Sequence, residues 1–143
     1  MSENSFIHKE LFRLVCFDQI GVGSSRQVWS SRVLPNSVIK VEDGVQKFQN
    51  VMEWEIWNWV KGTEYEKWFA PCEWISPCGG VLIMARTTQA HKYPDKLPMF
   101  LTDTKKPNFG MLGKRFVCHD YGISTILSFG LTKRMRKAHW RDE

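Results

Sequence analysis

One stretch of this chain carries helical periodicity, and it is set among short apolar runs broken by turns. From about Gln46 to Lys61 (QKFQNVMEWEIWNWVK), Phe48, Met52, Ile56 and Trp59 or Val60 recur at the three-to-four spacing of a helix face, and Gly62 stops the pattern. Before it lie residues 11–20 (LFRLVCFDQI), 27–33 (QVWSSRV) and 37–42 (SVIKVE), which read as three strands separated by a glycine turn and by Leu34-Pro35-Asn36. After it come 69–75 (FAPCEWI) and 80–86 (GVLIMAR), two more strands around Ser76-Pro77-Cys78-Gly79. Residues 87–98 read as a linker, 108–122 as a hairpin around Leu112-Gly113-Lys114, and the end as helical from Ser124. Strands that run consecutively with one inserted helix predict an α+β fold with an antiparallel five-stranded sheet.

Composition narrows the class of protein. The 143 residues suit a single domain able to bury a real core. No apolar run reaches the roughly 20 residues of a membrane span, and the polar start MSENSFIHKE has no apolar signal core. The expected location is therefore cytoplasmic, with no membrane partner. Four cysteines without a CxxC pair read as reduced thiols rather than as a zinc site. Of the seven tryptophans, Trp54, Trp57, Trp68 and Trp74 are expected in the core. The net charge of +5 sits mostly at the end, where the last 13 residues hold five cations against two carboxylates. The ordinary reading of residues 133–141 is a solvated, frayed terminus. A basic end can also attract nucleic acid or an acidic partner, but the near-neutral remainder argues against a nucleic-acid-binding face.

Three patterns carry chemistry. Gly21-Val22-Gly23-Ser24-Ser25-Arg26-Gln27-Val28 follows G-x-G-x-x-G-x-V except that Arg26 stands at the third glycine. Glycines between two strands let backbone amides approach phosphate oxygens, although a plain hairpin turn has the same look. Val38-Ile39-Lys40 ends an apolar strand in a single cation, which can meet two phosphates if a carboxylate such as Glu53 or Glu55 holds it. Asp103-Thr104-Lys105-Lys106-Pro107-Asn108 is D-x-x-x-x-N, and Asp120-Tyr121-Gly122 follows twelve residues later. An Asp can orient and deprotonate a hydroxyl, while Asn and a second Asp can hold magnesium.

In this order and at these separations, the patterns resemble those of the protein kinase-like fold, strongly shortened. The resemblance covers about residues 14–122. It implies a nucleotide site of Gly21, Gly23, Val28, Lys40 and Glu53, with Glu55 as the fallback partner of Lys40. Met84 falls near the gatekeeper and Arg86 near the hinge. It implies Asp103, Lys105 and Lys40 as catalytic residues, and Asn108 and Asp120 as ligands of Mg²⁺, with ATP as the nucleotide. The implied layout is an N-lobe over 11–86, a hinge over 87–98 and a remnant C-lobe over 99–143 that holds the catalytic loop, the DYG turn and the basic tail.

The departures matter as much. Leu101-Thr102 stand where the family has His-Arg before the catalytic Asp, so the usual brace of that loop is missing. Only about 16 residues join the hinge to Asp103, and 21 follow Gly122, with no A-P-E segment. The nucleotide residues are kept while the platform for a peptide substrate is absent. Two functions follow as expectations. One is a minimal kinase that moves the ATP γ-phosphate to Ser or Thr of a partner protein. For that transfer a bound macromolecule or a second copy of the chain is the source of the missing wall. The other is a catalytically weak or inactive pseudokinase-like interaction module that binds and inhibits or regulates a target. Such compression suits a compact viral genome, which would place the protein in a host cytoplasm.

Overall fold

The computed structural model describes residues 3–23, 25–42, 47–122, 126 and 130–143, with side chains from Phe6 onward. The chain is α+β, built on a five-stranded antiparallel sheet, with two α-helices among the described residues. It divides into two compact units, Met1–Val51 with Cys72–Arg86, and Met52–Pro71 with Thr87–Glu143. Among the described residues no helix is long and apolar enough to cross a membrane.

The first unit holds α1 (Glu3–Val15), β1 (Gln19–Val22), β2 (Arg26–Ser30), β3 (Ser37–Glu42), β4 (Cys72–Ile75) and β5 (Val81–Ala85). The strands pair in the order β1-β2-β3-β5-β4. β3 is the central strand, and its β-branched Val38, Ile39 and Val41 suit a pleated surface covered on both sides. Lys40 stands opposite Val28 on β2 and Leu82 on β5. The β4–β5 turn closes with Gly79 N–H on the Ser76 carbonyl at 2.9 Å, and Gly79 takes φ +78°, a conformation that suits glycine.

The expected strand at 11–20 is not what forms. Residues 3–15 are α1, and only Gln19 and Ile20 of that stretch are extended. An apolar run this short fits either period, and the helix formers Lys9, Glu10, Leu11, Arg13 and Leu14 tip it to a helix. Phe12 then packs edge-on against Trp29 of β2, with ring centroids 5.2 Å apart.

The second α-helix, α2 (Gln49–Val60), begins in the first unit and continues in the second. Glu53, Ile56, Trp57 and Val60 are buried, which is one face at the i, i+3, i+4, i+7 spacing. Gly62 follows at φ +80°, as expected of a helix stop. Phe48 does not share that face. It precedes the helix at φ +55° and is mostly exposed.

The remaining strands of the second unit are β6 (Lys96–Pro98), β7 (Phe109–Leu112), β8 (Arg115–Cys118) and β9 (Met135–Lys137). β7 and β8 form the expected hairpin. β6 pairs antiparallel with β9, so part of the expected linker and part of the expected terminal helix are strands. Residues 123–125 and 127–129, where that helix was to start, lie outside the described residues. Phe69, Phe100, Leu101, Phe109, Val117, Cys118 and Tyr121 are buried in this unit. Of the four tryptophans expected in the core, Trp57 is buried and Trp54 and Trp68 are half-buried, but Trp74 is 48% exposed. The four cysteines are free thiols.

Candidate functional site

The glycine pair lies in and just after β1. Gly23 N–H donates to the Arg26 carbonyl at 2.8 Å and closes the turn into β2, with Ser24 outside the described residues. Neither Gly21 nor Gly23 has a positive φ, and a Cβ at either would make only ordinary contacts. Nothing in the turn itself therefore demands glycine at these two positions. Arg26, which stands where the third glycine was expected, is buried. Its Nη1 donates to Asn50 Oδ1 at 3.0 Å. Asn50 Nδ2 donates in turn to the carbonyls of Lys40 and Gly79, both at 3.0 Å. A fully buried amide thus ties the loop, the middle of β3 and the β4–β5 turn to the first turn of α2.

That first turn has no acidic residue of its own. Glu42, at the end of β3, takes the place of a cap. Its two oxygens accept the amides of Gln49 at 2.9 Å and Asn50 at 3.0 Å, and Ser25 Oγ reaches the same side chains. A carboxylate there satisfies free helix N–H groups and suits the positive end of the helix dipole. Lys40 is buried at the centre of β3, Met84 is fully buried on β5, and Val28 is half-buried on β2. Arg86 is exposed, and its amide is fixed to the Asn36 carbonyl at 2.9 Å.

In the second unit α2 and the DYG turn meet. Glu53 is wholly buried, whereas Glu55 is exposed. Glu53 Oε2 accepts the amides of both Tyr121 and Gly122 at 2.8 Å, across 68 and 69 residues. Tyr121 uses its hydroxyl, which donates to the Ala70 carbonyl at 2.8 Å, while its ring stands edge-on to Phe69. Asp120, the residue before it, stays exposed.

The loop Asp103–Asn108 ends in a 3₁₀ turn at Lys106–Asn108. His119 braces it. Its amide donates to the Asn108 carbonyl at 2.9 Å, its Nε2 lies 2.7 Å from the Pro107 carbonyl, and its Nδ1 lies 2.6 Å from Thr87 Oγ1. With the proton on Nε2, that nitrogen can donate to the Pro107 carbonyl while Nδ1 accepts from the Thr87 hydroxyl. Gly110 keeps Thr87 in place, because a Cβ there would stand 2.6 Å from Thr87 Oγ1 and 2.7 Å from the Thr88 carbonyl.

Asp103 and Asp120 line one shallow concavity with Phe100, Thr102 and Tyr121. Asn108 is half-buried and Lys105 exposed, and neither lines it. Asp103 Oδ1 accepts from Arg141 Nη2 at 2.9 Å. Asn108 and Asp120 supply hard oxygen donors. No group of three or more His, Cys, Asp or Glu suited to a metal is present among the described residues. A magnesium ion would thus need phosphate or water oxygens to complete its shell, as that ion usually does.

The sequence reading missed four contributors. Arg26 and Asn50 were hidden because a charged residue and an amide carry no apolar period. Arg141 was placed in a frayed tail. His119 had a signal, its position directly before the DYG aspartate. The chain matches no protein-family model, no curated protein and no solved structure in the comparisons made with each.

Proposed function

We propose that the chain is a minimal protein kinase-like phosphotransferase that uses Mg²⁺ and ATP. The observation that carries this reading is the pair of hydrogen bonds that the Tyr121 and Gly122 amides donate to Glu53 Oε2. The resemblance named a helix glutamate and a DYG turn as parts of one machine, from residues far apart in the chain. The Cβ positions of Gly21 and Gly23 meet only ordinary contacts, which leaves room for a phosphate to approach the backbone there.

On this reading Gly21, Gly23 and Lys40 contact phosphates, and Asn108 and Asp120 hold the metal. The metal's contribution is charge neutralisation on the phosphates. Asp103 orients a Ser or Thr hydroxyl and takes its proton. The hydroxyl oxygen forms its bond to the γ-phosphorus, the bond from that phosphorus to the bridging oxygen breaks, and ADP leaves with the electron pair. Positioning and electrostatics carry most of such a reaction.

The test is a thermal-shift titration with Mg·ATP on wild type and Asp120→Ala, followed by transfer of label from γ-labelled ATP. Wild type should shift and transfer, and Asp120→Ala should lose both. An unshifted wild type, or full transfer by the variant, overturns the proposal.

A second reading, the interaction module, is favoured by α1. Phe6, Ile7, Leu11 and Leu14 are each more than half exposed on that helix, a display that suits a partner protein. It predicts a stable complex whose affinity survives Asp103→Ala.

A further inference from the structure

The C-terminal segment lies along the loop that carries Asp103. Thr104 Oγ1 donates to the His139 carbonyl at 2.6 Å, Arg141 N–H to the Thr104 carbonyl at 3.1 Å, and Lys106 N–H to the Arg141 carbonyl at 2.8 Å. Upstream, Trp140 packs against Tyr93, Phe109 and Phe116 and donates its indole N–H to the Pro94 carbonyl at 2.7 Å. The segment is therefore fixed by backbone bonds and an aromatic cluster, without help from the Arg141 side chain. That side chain nevertheless reaches Asp103 Oδ1 at 2.9 Å. Both partners are about half exposed, with side chains 54% and 46% accessible. A pair so wet adds little to stability, so its consequence lies in where it puts the carboxylate.

We propose that Arg141 is a positioning residue for Asp103. The torsion that turns an Asp carboxylate is broad and roughly two-fold, so an unheld one samples many orientations. A guanidinium on Oδ1 fixes the plane and leaves Oδ2 for an acceptor hydroxyl. The hydroxyl proton passes to Oδ2 as the oxygen–phosphorus bond forms and ADP departs with the bridging electron pair. This role rests on the phosphoryl-transfer reading above, and it gives the basic tail a task at the site.

The test uses the full chain with Arg141→Gln, Arg141→Lys, Asp103→Asn and the Arg141→Gln/Asp103→Asn double variant. The readout is incorporation of label from γ-labelled Mg·ATP into dephosphorylated casein and into the chain itself. Arg141→Gln should lower kcat about tenfold or more, a part of the ~10²–10⁴ that a positioned base contributes, with KM for ATP unchanged. Arg141→Lys should recover part of the loss, and the double variant should be no slower than Asp103→Asn. Hydrogen exchange at the Arg141 and Lys106 amides should stay as slow in Arg141→Gln as in wild type. An active wild type with an equally fast or faster Arg141→Gln overturns the positioning role. So does a loss of activity that comes with unprotected amides, which would make the side chain a mere anchor of the segment. A wild type that transfers nothing has a different signature. It refutes the transfer reading and takes the role of Arg141 with it.

Discussion

Glu53→Ala is the perturbation with the clearest expected cost. Glu53 is wholly buried, and its Oε2 accepts two backbone amides at 2.8 Å. Truncation to a methyl leaves the Tyr121 and Gly122 N–H groups without this acceptor inside the protein. Each stranded group costs about 1–3 kcal/mol, which gives roughly 2–6 kcal/mol for the pair. Removing a buried carboxylate also removes its own desolvation penalty, so the lower half of that range, about 2–4 kcal/mol, is the expectation. Against a typical total of about 5–15 kcal/mol this is a large fraction. Urea denaturation should show a lower midpoint with an unchanged slope. Hydrogen exchange should speed up at Tyr121 and Gly122 before it does so in the β7–β8 hairpin. Glu53→Gln keeps an oxygen acceptor and loses only the charge assistance, so it should fall between wild type and Glu53→Ala. A Glu53→Ala variant within about 0.5 kcal/mol of wild type, the usual range for substitutions away from such features, would refute the reasoning. So would unchanged protection of the two amides.

Two further expectations concern the first unit. Asn50→Leu removes the acceptor of Arg26 Nη1 and the donor to the Lys40 and Gly79 carbonyls. It should destabilise by about 2–4 kcal/mol in urea denaturation, since buried polar groups lose their partners, while a similar change at the exposed Asn58 should be near neutral. Cys78 is exposed, whereas Cys16, Cys72 and Cys118 are buried. The Gly80 backbone N–H and the Ser76 hydroxyl draw its thiol below the ordinary range, and burial pushes Cys16 the other way. Because the thiolate is the nucleophile, iodoacetamide should label Cys78 first in the native protein. Its rate should rise with pH and level off at a lower pH than that of a free thiol, as peptide mapping by mass can check.

The parts of the fold that were legible in the sequence rest on local patterns. The short run of β-branched Val38, Ile39 and Val41 marked β3 with its true bounds, and Gly62 and Gly113 marked a helix stop and a hairpin. The preference for Glu53 over Glu55 as the partner of Lys40 came from the resemblance, on the spacing of Ile56, Trp57 and Val60; Glu53 is buried with those three. What escaped is long-range or ambiguous in period. β6 and β9 are three residues each and about 40 apart in the chain, too short for either to declare its partner, and Pro98 is a residue that usually argues against a strand. In the sequence Arg26 is only a departure from the third glycine. Only the closeness of Asn50, 24 residues on, turns it into a buried donor.

The same distinction explains why the tail was misread. Five cations in the last 13 residues suggested a solvated end, and charge dominated that judgement. The structure holds the segment by groups that formal charge does not count. Ala138 N–H bonds the Asp95 carbonyl at 2.8 Å and Met99 N–H the Arg134 carbonyl at 2.9 Å, flanking the β6–β9 pair. Arg136 Nη2 donates to the Leu101 carbonyl at 2.8 Å, two residues before Asp103. Backbone bonds of this kind persist at high salt, whereas exposed ion pairs such as Lys106–Asp142 and Lys133–Glu64 are screened. The segment's attachment should therefore depend little on ionic strength, while its surface charge still does. The tail, the aromatic cluster around Trp140 and the His119 brace together support the loop that carries Asp103.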